Sequence, residues 1–324
     1  MLTLLAYPRI HMTLIDLGHA TLRVNGGAGF AVQGLPLRIS AQTSGRDRIS
    51  MPEGFDHAAQ DDLEMALARM RKVFEFPPTL ISAVTSAPQH IGLGTKTCAA
   101  LGALQAVARL HGIEASRSEL QRLSGRGGTS GVGISTFFTG GLIVDSGHPQ
   151  SHRPYAPSSA APPAVLPPVG VQMGMPSEWT CHLILPQGFR RAGPDEAAFF
   201  RENTPIKEEG VLRVLSAVYH GICPAVASAD LDLLRTALLQ IHETGFKRRE
   251  VMTQPPELAA LLRHVNTNAA FAAGMSSMGP LVYVIGAAGQ GENARRELGG
   301  ICASFGANYL GEYRFRNAGF EINA

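Results

Sequence analysis

The stretch that most constrains the fold is residues 88–97, Pro-Gln-His-Ile-Gly-Leu-Gly-Thr-Lys-Thr, here named the first glycine loop. A β-branched run at 79–86 precedes it and predicts a strand, and an apolar run at 98–107 follows it and predicts a buried helix. Gly92 and Gly94 let the backbone turn sharply between the two. Such a turn directs several backbone N–H groups and the positive end of the helix dipole at one place. We therefore predict a site for phosphate or pyrophosphate here.

Side chains of the first glycine loop support an anionic ligand. Lys96 adds a positive charge, and hydroxyl groups come from Thr95 and Thr97. His90, just before the first glycine, is a further candidate. The spacing fits neither a P-loop nor a dinucleotide-binding fingerprint. A glycine turn that serves only packing is the alternative, and the apolar helix directly behind the loop favours the anion site.

A second glycine loop spans residues 125–133, Gly-Arg-Gly-Gly-Thr-Ser-Gly-Val-Gly. Its backbone N–H groups can surround a phosphate while a guanidinium binds the oxygens through two parallel hydrogen bonds. A flexible hairpin loop is the weaker alternative, because a plain turn rarely needs five glycines. The predicted binding residues are Arg126, Gly127, Gly128, Thr129, Ser130 and Gly131.

Further candidates lie after the second loop. We expect a strand at residues 134–144, with Asp145 and His148 at its end, where ligand-facing residues commonly sit; a capped turn is the equal alternative. A glycine–serine turn at 274–280, here named the serine turn, contributes Ser276 and Ser277 as weaker candidates.

Near the N-terminus, a predicted strand carries a third polar group. Alternation of side chains places Arg9, His11 and Thr13 on one face of this strand. Asp16 ends the strand, and Arg23 lies on the next one. A plain solvent-exposed face is the alternative, and neighbouring glycines favour a role in binding.

Composition limits the function classes. The 324 residues are 45% hydrophobic and 17% charged with a net charge of +2, which suits a compact enzyme rather than a nucleic-acid-binding protein. The basic cluster at 247–249 predicts a solvated helix face. The four cysteines lack metal-ligand spacing. We expect that no apolar run is long enough to span a membrane, and that the protein is cytoplasmic without membrane or nucleic-acid partners.

The order of predicted elements indicates an α+β protein, because strands and helices mix without regular alternation. The proline-rich segment at 149–168 is the best candidate for a domain boundary. We predict an N-terminal domain at residues 1–176 and a C-terminal domain at 177–324.

Seven segments, in order over nearly the whole chain, resemble the β-ribofuranosylaminobenzene 5′-phosphate synthase family, which has the fold of the GHMP small-molecule kinase superfamily. The segments are Arg9-Ile-His-Met-Thr-Leu-Ile-Asp16, Asn25-Gly-Gly-Ala-Gly-Phe30, His90-Ile-Gly-Leu-Gly94, Gly125-Arg-Gly-Gly-Thr-Ser-Gly131, Gly141-Leu-Ile-Val-Asp145, Gly245-Phe-Lys247 and Gly274-Met-Ser-Ser277.

The resemblance implies a two-domain GHMP-type α+β architecture and a C-glycosyl transfer. Family members join phosphoribosyl pyrophosphate to an aromatic carboxylic acid and release carbon dioxide and pyrophosphate. The methanopterin-pathway enzyme uses 4-aminobenzoate, and relatives in C-nucleoside antibiotic pathways, such as those for formycin and pyrazofurin, use an aminopyrazole dicarboxylate. Mg²⁺ is the implied cofactor, because charge develops on the departing pyrophosphate.

Roles follow from this chemistry as hypotheses. Lys96 would contact the pyrophosphate or an acceptor carboxylate, and Asp16 would bind Mg²⁺ or the ribose hydroxyls. Arg9, Arg23 or Lys247 would hold the acceptor carboxylate. Which glycine loop holds pyrophosphate and which the 5′-phosphate stays open.

Two departures from the family pattern bear on the acceptor. Lys96 stands where a glycine is usual, and the turn at 16–20 also differs from the family's usual turn. An extra positive charge would suit an acceptor with a second carboxylate, which favours the C-nucleoside branch. The alternatives are the 4-aminobenzoate enzyme, an ATP-dependent kinase of the same fold and a non-catalytic ligand sensor. A homodimer is expected because it is the commonest assembly.

Overall fold

The computed structural model describes residues 1–51, 57–85, 88–150, 154–157, 166–191 and 193–323. The strands are β1 (Leu2–Ala6), β2 (Arg9–Asp16), β3 (Arg23–Ala31), β4 (Leu37–Thr43), β5 (Arg48–Ser50), β6 (Thr79–Thr85), β7 (Leu142–Asp145), β8 (His148–Pro149), β9 (Val169–Met173), β10 (Trp179–Leu185), β11 (Phe271–Met275), β12 (Val282–Ala287), β13 (Asn308–Tyr313) and β14 (Glu321–Asn323).

The helices are α1 (His57–Arg71), α2 (Thr95–Leu110), α3 (Arg117–Ser124), α4 (Val132–Thr139), α5 (Pro194–Asn203), α6 (Glu208–Ser216), α7 (Cys223–Ser228), α8 (Leu231–Glu243), α9 (Gly245–Met252), α10 (Pro256–Thr267) and α11 (Gly291–Ser304). A π-helical turn (Ala217–Ile222) joins α6 to α7.

These strands form three sheets within the described residues, with the orders β14-β1-β4-β6-β5, β2-β3-β7-β9 and β11-β12-β10-β13. Neighbouring strands are antiparallel, except that β5 and β6 are parallel. The short β8 also pairs with β3. Helices and largely antiparallel sheets together confirm the α+β class.

The predicted strand and helix around the first glycine loop are both present, as β6 and α2. Residues 98–108 of α2 are all buried, as their alanine- and leucine-rich sequence predicts. A Cβ at Gly102 would come within 2.2 Å of the Ile39 side chain, so glycine lets α2 pack closely on the first sheet. The loop before α2 is held to β2 by a 3.1 Å hydrogen bond from the Arg9 N–H to the Leu93 carbonyl oxygen.

The predicted strand at 134–144 is wrong in its first half, which forms α4. Aromatic and β-branched residues suggested a strand there, and tertiary packing overrides that preference. Val132, Ile134 and Phe137 are buried on α4, and the Phe137 ring stacks on Phe320 with centroids 4.9 Å apart. The second glycine loop therefore also opens a helix.

The predicted boundary between residues 176 and 177 lies between β9 and β10, which belong to different sheets. The chain nevertheless returns to its N-terminal half, because β14 pairs with β1 and Phe315 forms a bridge with Val32. One cluster of buried side chains also draws on both halves, with Ile10 and Phe30 from one and Leu183 from the other. The two-domain division stays a prediction.

One helical stretch among the described residues, 208–228, is long and apolar enough to span a membrane by length and composition. The expectation that no apolar run is long enough to span a membrane did not include this helical stretch. Half of its apolar window is buried inside the protein, as in the core helix of a globular domain. It is weak evidence for a membrane span.

Candidate active site

Strand β2 supplies the first wall of the site, and its pleat is interrupted. The pairing of β2 with β3 shifts by one residue between His11 and Thr13. Such a shift redirects the side chains that follow it. Leu14 therefore joins Arg9 and His11 in lining the central cavity. Thr13 is fully buried, and its hydroxyl donates a hydrogen bond to the Leu14 carbonyl oxygen. The prediction that Thr13 shares a strand face with Arg9 and His11 is therefore wrong.

The first glycine loop needs its glycines for backbone reasons. The φ angles are +104° at Gly92 and +70° at Gly94, and His90 also has a positive φ of 58°. A Cβ at Gly92 would come within 2.4 Å of the Ser276 carbonyl oxygen. The Arg9 guanidinium donates a hydrogen bond of 2.6 Å to the Gly92 carbonyl oxygen. The loop is thus fixed against both β2 and the serine turn.

Residues 95–97 form the first turn of α2, and Gly94 is its N-cap. No side chain caps this end among the hydrogen bonds described. N–H groups in the first turn of a helix lack intrahelical partners, so they can serve an anion. Thr97 lines the central cavity. Its neighbour Lys96, in the same helical turn, is half-buried.

The serine turn is held to β2 through Ser276 and Ser277. The Ser276 hydroxyl accepts a 3.1 Å hydrogen bond from the His11 backbone N–H and donates one of 2.8 Å to the Gly92 carbonyl oxygen. The backbone N–H of Ser277 donates to the His11 carbonyl oxygen at 2.8 Å. This turn joins the two strands β11 and β12.

Lys247 supports the serine turn from behind. Its Nζ donates a 2.6 Å hydrogen bond to the Ser277 carbonyl oxygen and lies 2.5 Å from the Glu250 carboxylate on the same helix, α9. The Lys247 side chain is only 1% exposed. The solvated helix face predicted for 247–249 is therefore wrong for Lys247.

Asp145 organises the second glycine loop. Its Oδ2 accepts hydrogen bonds from the Ser130 hydroxyl at 2.8 Å and the Gly131 N–H at 3.0 Å, and its Oδ1 accepts one from the Gly147 N–H at 3.0 Å. Burial raises the pKa of Asp145 to about 6. His148 contacts the same loop, with its ring nitrogen 3.1 Å from the Gly127 carbonyl oxygen.

The two glycine loops, the serine turn and β2 meet at one cavity. It measures about 100 Å³. Its lining is Arg9, His11, Leu14, Thr97, Arg126, Gly127, Thr129, Ser130, Gly133, Ile134, Pro157, Glu196, Phe200, Glu250, Ser277 and Met278. The segments that the sequence singled out as candidate binding segments are therefore close together in the structure.

Two helices begin at this cavity, which concentrates positive potential there. Gly133, in the first turn of α4, lies close to Thr97 in the first turn of α2, since a Cβ built on Gly133 would be 3.6 Å from the Thr97 methyl carbon. Arg126 reaches the Thr97 hydroxyl at 3.4 Å and the Asp62 carboxylate at 3.7 Å. The cavity thus combines two helix N-termini with two guanidinium groups.

Burial shapes the charges in the cavity. It lowers the pKa of Arg9 to about 10 and also lowers that of Arg126, and both stay protonated at neutral pH. Burial, with Arg9 and Lys247 nearby, holds the pKa of His11 well below its usual range, so its ring is neutral. The cavity therefore holds two fixed positive charges, and the His11 ring adds none.

Several predicted residues lie at the edge of this arrangement. Asp16 is buried, and its carboxylate accepts hydrogen bonds from the N–H groups of Gly18, Ala20 and Thr21 at 2.8, 3.3 and 2.8 Å. Arg23 donates to the carbonyl oxygens of residues 146 and 147 at 2.7 and 2.8 Å. Among the cavity-lining residues described, Arg9 is present and neither Arg23 nor Lys247 is.

Sequence reasoning missed Glu196 and Phe200 on α5, and Glu250 on α9. These residues lie far along the chain from the glycine loops, and an acidic residue in the first turn of a helix is explained by the helix dipole alone. The Lys247–Glu250 spacing of three residues was an available signal, because it places both side chains on one helix face.

Solved structures of similar shape identify the fold. Homoserine kinase from Cytophaga hutchinsonii matches with a TM-score of 0.71 at 14% identity, over 99% of this chain and 97% of that one. Mevalonate diphosphate decarboxylase from Staphylococcus aureus matches with a TM-score of 0.64 at 11% identity, over 100% and 99%. This chain therefore has the GHMP-kinase fold.

Relatives in sequence show which family within this fold the chain belongs to. The β-ribofuranosylphenol 5′-phosphate synthase of Archaeoglobus fulgidus is 34% identical over 288 residues, which is 88% of each chain. That of Methanothermobacter thermautotrophicus is 31% identical over 287 residues, 86% of each chain. Comparison with protein-family models gives no match. The chain belongs to the β-ribofuranosylphenol 5′-phosphate synthase family and is an enzyme, and the family resemblance of the sequence is confirmed.

Proposed function

We propose that this enzyme transfers the 5-phosphoribosyl group of phosphoribosyl pyrophosphate to a ring carbon of an aromatic or heteroaromatic carboxylic acid, with loss of carbon dioxide and pyrophosphate. The observation that carries the proposal is the cavity where α2 and α4 begin beside Arg9 and Arg126. Two adjacent helix N-termini and two guanidiniums suit a substrate with two phosphorylated ends. The relatives' name, a synthase of a ribofuranosylphenol 5′-phosphate, describes a product of this kind.

The proposed reaction needs charge stabilisation more than proton transfer. The bond from C1′ to pyrophosphate breaks, and the leaving oxygen takes the electron pair towards the cationic groups. The ring carbon that bears the carboxylate attacks C1′. The bond to the carboxylate then breaks, carbon dioxide leaves, and its electron pair restores the aromatic ring. No proton is gained or lost in these steps, which agrees with the neutral, buried His11.

The acceptor needs an apolar surface and a cation. Leu14, Phe200 and Met278 line the cavity and can contact a flat ring, and Arg9 is the guanidinium positioned to bind its carboxylate. The phenol in the relatives' name points to a hydroxybenzoate acceptor for those proteins. For this chain we propose an aminopyrazole dicarboxylate as the acceptor. This proposal depends on Lys96 binding the second carboxylate of that acid.

Mg²⁺ is proposed to arrive with the substrate. The described residues contain no group of three or more histidine, cysteine, aspartate or glutamate side chains that could hold a metal ion. The Asp16 carboxylate, proposed from sequence as a ligand, already accepts three backbone hydrogen bonds. Because Mg²⁺ is commonly bound through substrate phosphates with few protein carboxylates, these residues fit a substrate-borne ion better than a resident one. When bound, it would neutralise charge on the pyrophosphate.

The test is pyrophosphate release from phosphoribosyl pyrophosphate and Mg²⁺ with three acids in parallel: 4-hydroxybenzoate, 4-aminobenzoate and 4-aminopyrazole-3,5-dicarboxylate. Release that requires one of these acids supports the proposal and identifies the acceptor. Release with the pyrazole that is lost selectively in Lys96→Gly would support the second-carboxylate role. If ATP is consumed with alcohol substrates and no pyrophosphate is released with any of the three acids, the protein is a kinase and the proposal is overturned.

A further inference from the structure

Two guanidiniums and two carboxylates line the cavity, and one of the carboxylates, Glu250, is paired with Lys247, which leaves Glu196 as the carboxylate that faces the guanidiniums. Glu196 shares the cavity lining with Arg9 and Arg126. These two cations and Lys96 all stabilise its charged form, while burial raises its pKa. An anionic substrate group entering the same cavity would meet the same cations and would be repelled by this carboxylate.

The helix that carries Glu196, α5, packs on α9 through two aromatic side chains. Phe199 and Phe200 pack on the Phe246 ring of α9, with centroids 5.4 and 4.8 Å away. The opposite end begins at Gly193, which is exposed and provides no side-chain cap. Glu196 lies in this first turn, so its carboxylate can swing towards solvent while the aromatic anchor stays packed.

The small size of the cavity favours such a movement. Small-molecule sites usually measure roughly 300–1,000 Å³, and this cavity measures about 100 Å³. Withdrawal of a lining side chain would enlarge the space for phosphoribosyl pyrophosphate. Glu196 is a half-buried lining carboxylate in the first turn of α5, which begins at the exposed Gly193.

On the basis of the proposed function, we propose that Glu196 is an internal counter-ion that takes the place of the pyrophosphate group in the ligand-free site. The pyrophosphate displaces it on binding, and its return helps to expel pyrophosphate as a product. Glu196 thereby sets the affinity for the leaving group without contacting the reacting carbons, and acts as a specificity-determining residue.

The test is calorimetric binding of inorganic pyrophosphate, with and without Mg²⁺, to the wild type and to Glu196→Gln. The matched control is Asp195→Asn, which removes an exposed charge from the same helical turn. We expect Glu196→Gln to bind pyrophosphate about tenfold more tightly, because one repulsive charge is removed from a partly buried site. The control variant should change the affinity by less than about twofold.

Equal or weaker binding by Glu196→Gln, in either condition, would overturn the inference. A loss of affinity seen only with Mg²⁺ would make Glu196 a metal ligand instead. Thermal unfolding of both variants checks that they fold. Because this assay needs no turnover, it separates the two proposals: pyrophosphate release can fail with every acid while Glu196→Gln still binds pyrophosphate more tightly, and the reverse is equally observable.

In steady-state kinetics, we expect Glu196→Gln to lower the KM for phosphoribosyl pyrophosphate and to lower kcat, because product release slows. A merely structural role for Glu196 would lower kcat without lowering KM.

Discussion

The Ser276 hydroxyl donates a 2.8 Å hydrogen bond to the carbonyl oxygen of Gly92, although 184 residues separate them along the chain. The same hydroxyl accepts a hydrogen bond from the His11 backbone N–H. One buried side chain thus joins the first glycine loop, β2 and the serine turn. Because all three line the cavity, this wall of the site is fixed before any substrate binds, which is what catalysis by positioning requires.

Gly92→Ala should lower the free energy of unfolding by more than the strain of the positive φ angle at this position alone would. The new Cβ would meet the Ser276 backbone, whereas Gly112, also at positive φ, has no atom within 4 Å of such a Cβ. Gly112→Ala should cost about 1–2 kcal/mol of folding free energy from its φ angle, and Gly92→Ala about 1–3 kcal/mol more from overpacking. Denaturant unfolding and pyrophosphate release measure both effects. Equal losses in the two variants would show that the contact with Ser276 is unimportant.

Arg126→Ala should weaken binding of phosphoribosyl pyrophosphate. Hydrogen bonds to charged groups contribute about 1.5–3 kcal/mol, so we expect its KM to rise by roughly 10- to 150-fold. Arg126→Lys should recover only part of this, since an ammonium cannot form the two parallel hydrogen bonds. Arg122→Ala, on the exposed side of α3, is the control. If KM is the same for all three variants, Arg126 does not bind the substrate.

Asp145 should make stability depend on pH in a defined direction. Its pKa is raised from 3.8 to about 6 in the folded protein. The folded chain therefore holds this proton more tightly than the unfolded chain. Its contribution to stability is full below pH 4 and is lost as the pH rises through about 6.

The comparison variant is Asp145→Asn, which cannot titrate. Between pH 4 and pH 7, the unfolding free energy of the wild type should fall relative to that of the variant by about 2 kcal/mol. Chemical denaturation across this range measures the difference. Parallel stability curves would mean that Asp145 titrates normally in the folded state.

Lys247 and Glu250 should behave as a coupled pair. Removing one partner leaves a buried charge, so Lys247→Met or Glu250→Gln alone should cost about 3–5 kcal/mol. The double variant should cost clearly less than the sum of the single variants. Arg213 and Glu209 form an exposed pair whose cycle should show almost no coupling. Strict additivity for Lys247 and Glu250 would contradict a buried ion pair.

Much of the site could be predicted from sequence, because glycine-rich turns report backbone requirements directly. Gly92 and Gly94 do adopt positive φ angles before a buried helix. Positions that depend on tertiary packing could not be predicted. The residues of α4 have strand-forming character, and only their burial between α2 and β3 makes them helical.

The shift in strand pairing after His11 could not be predicted either, because the alternation rule assumes an uninterrupted pleat. Glu196 reaches the cavity only through the packing of α5 on Phe246, a contact for which the sequence pattern contains no signal.

The central claim is that this enzyme forms a carbon–carbon bond between ribose 5-phosphate and an aromatic acid as the acid loses its carboxyl group. The most direct test supplies phosphoribosyl pyrophosphate with the best acceptor of the panel, labelled with ¹³C in its carboxyl group, and measures labelled carbon dioxide and pyrophosphate together. The account predicts equal amounts of both and a product that lacks the label. Pyrophosphate release with the labelled carboxyl group retained in the product would contradict it.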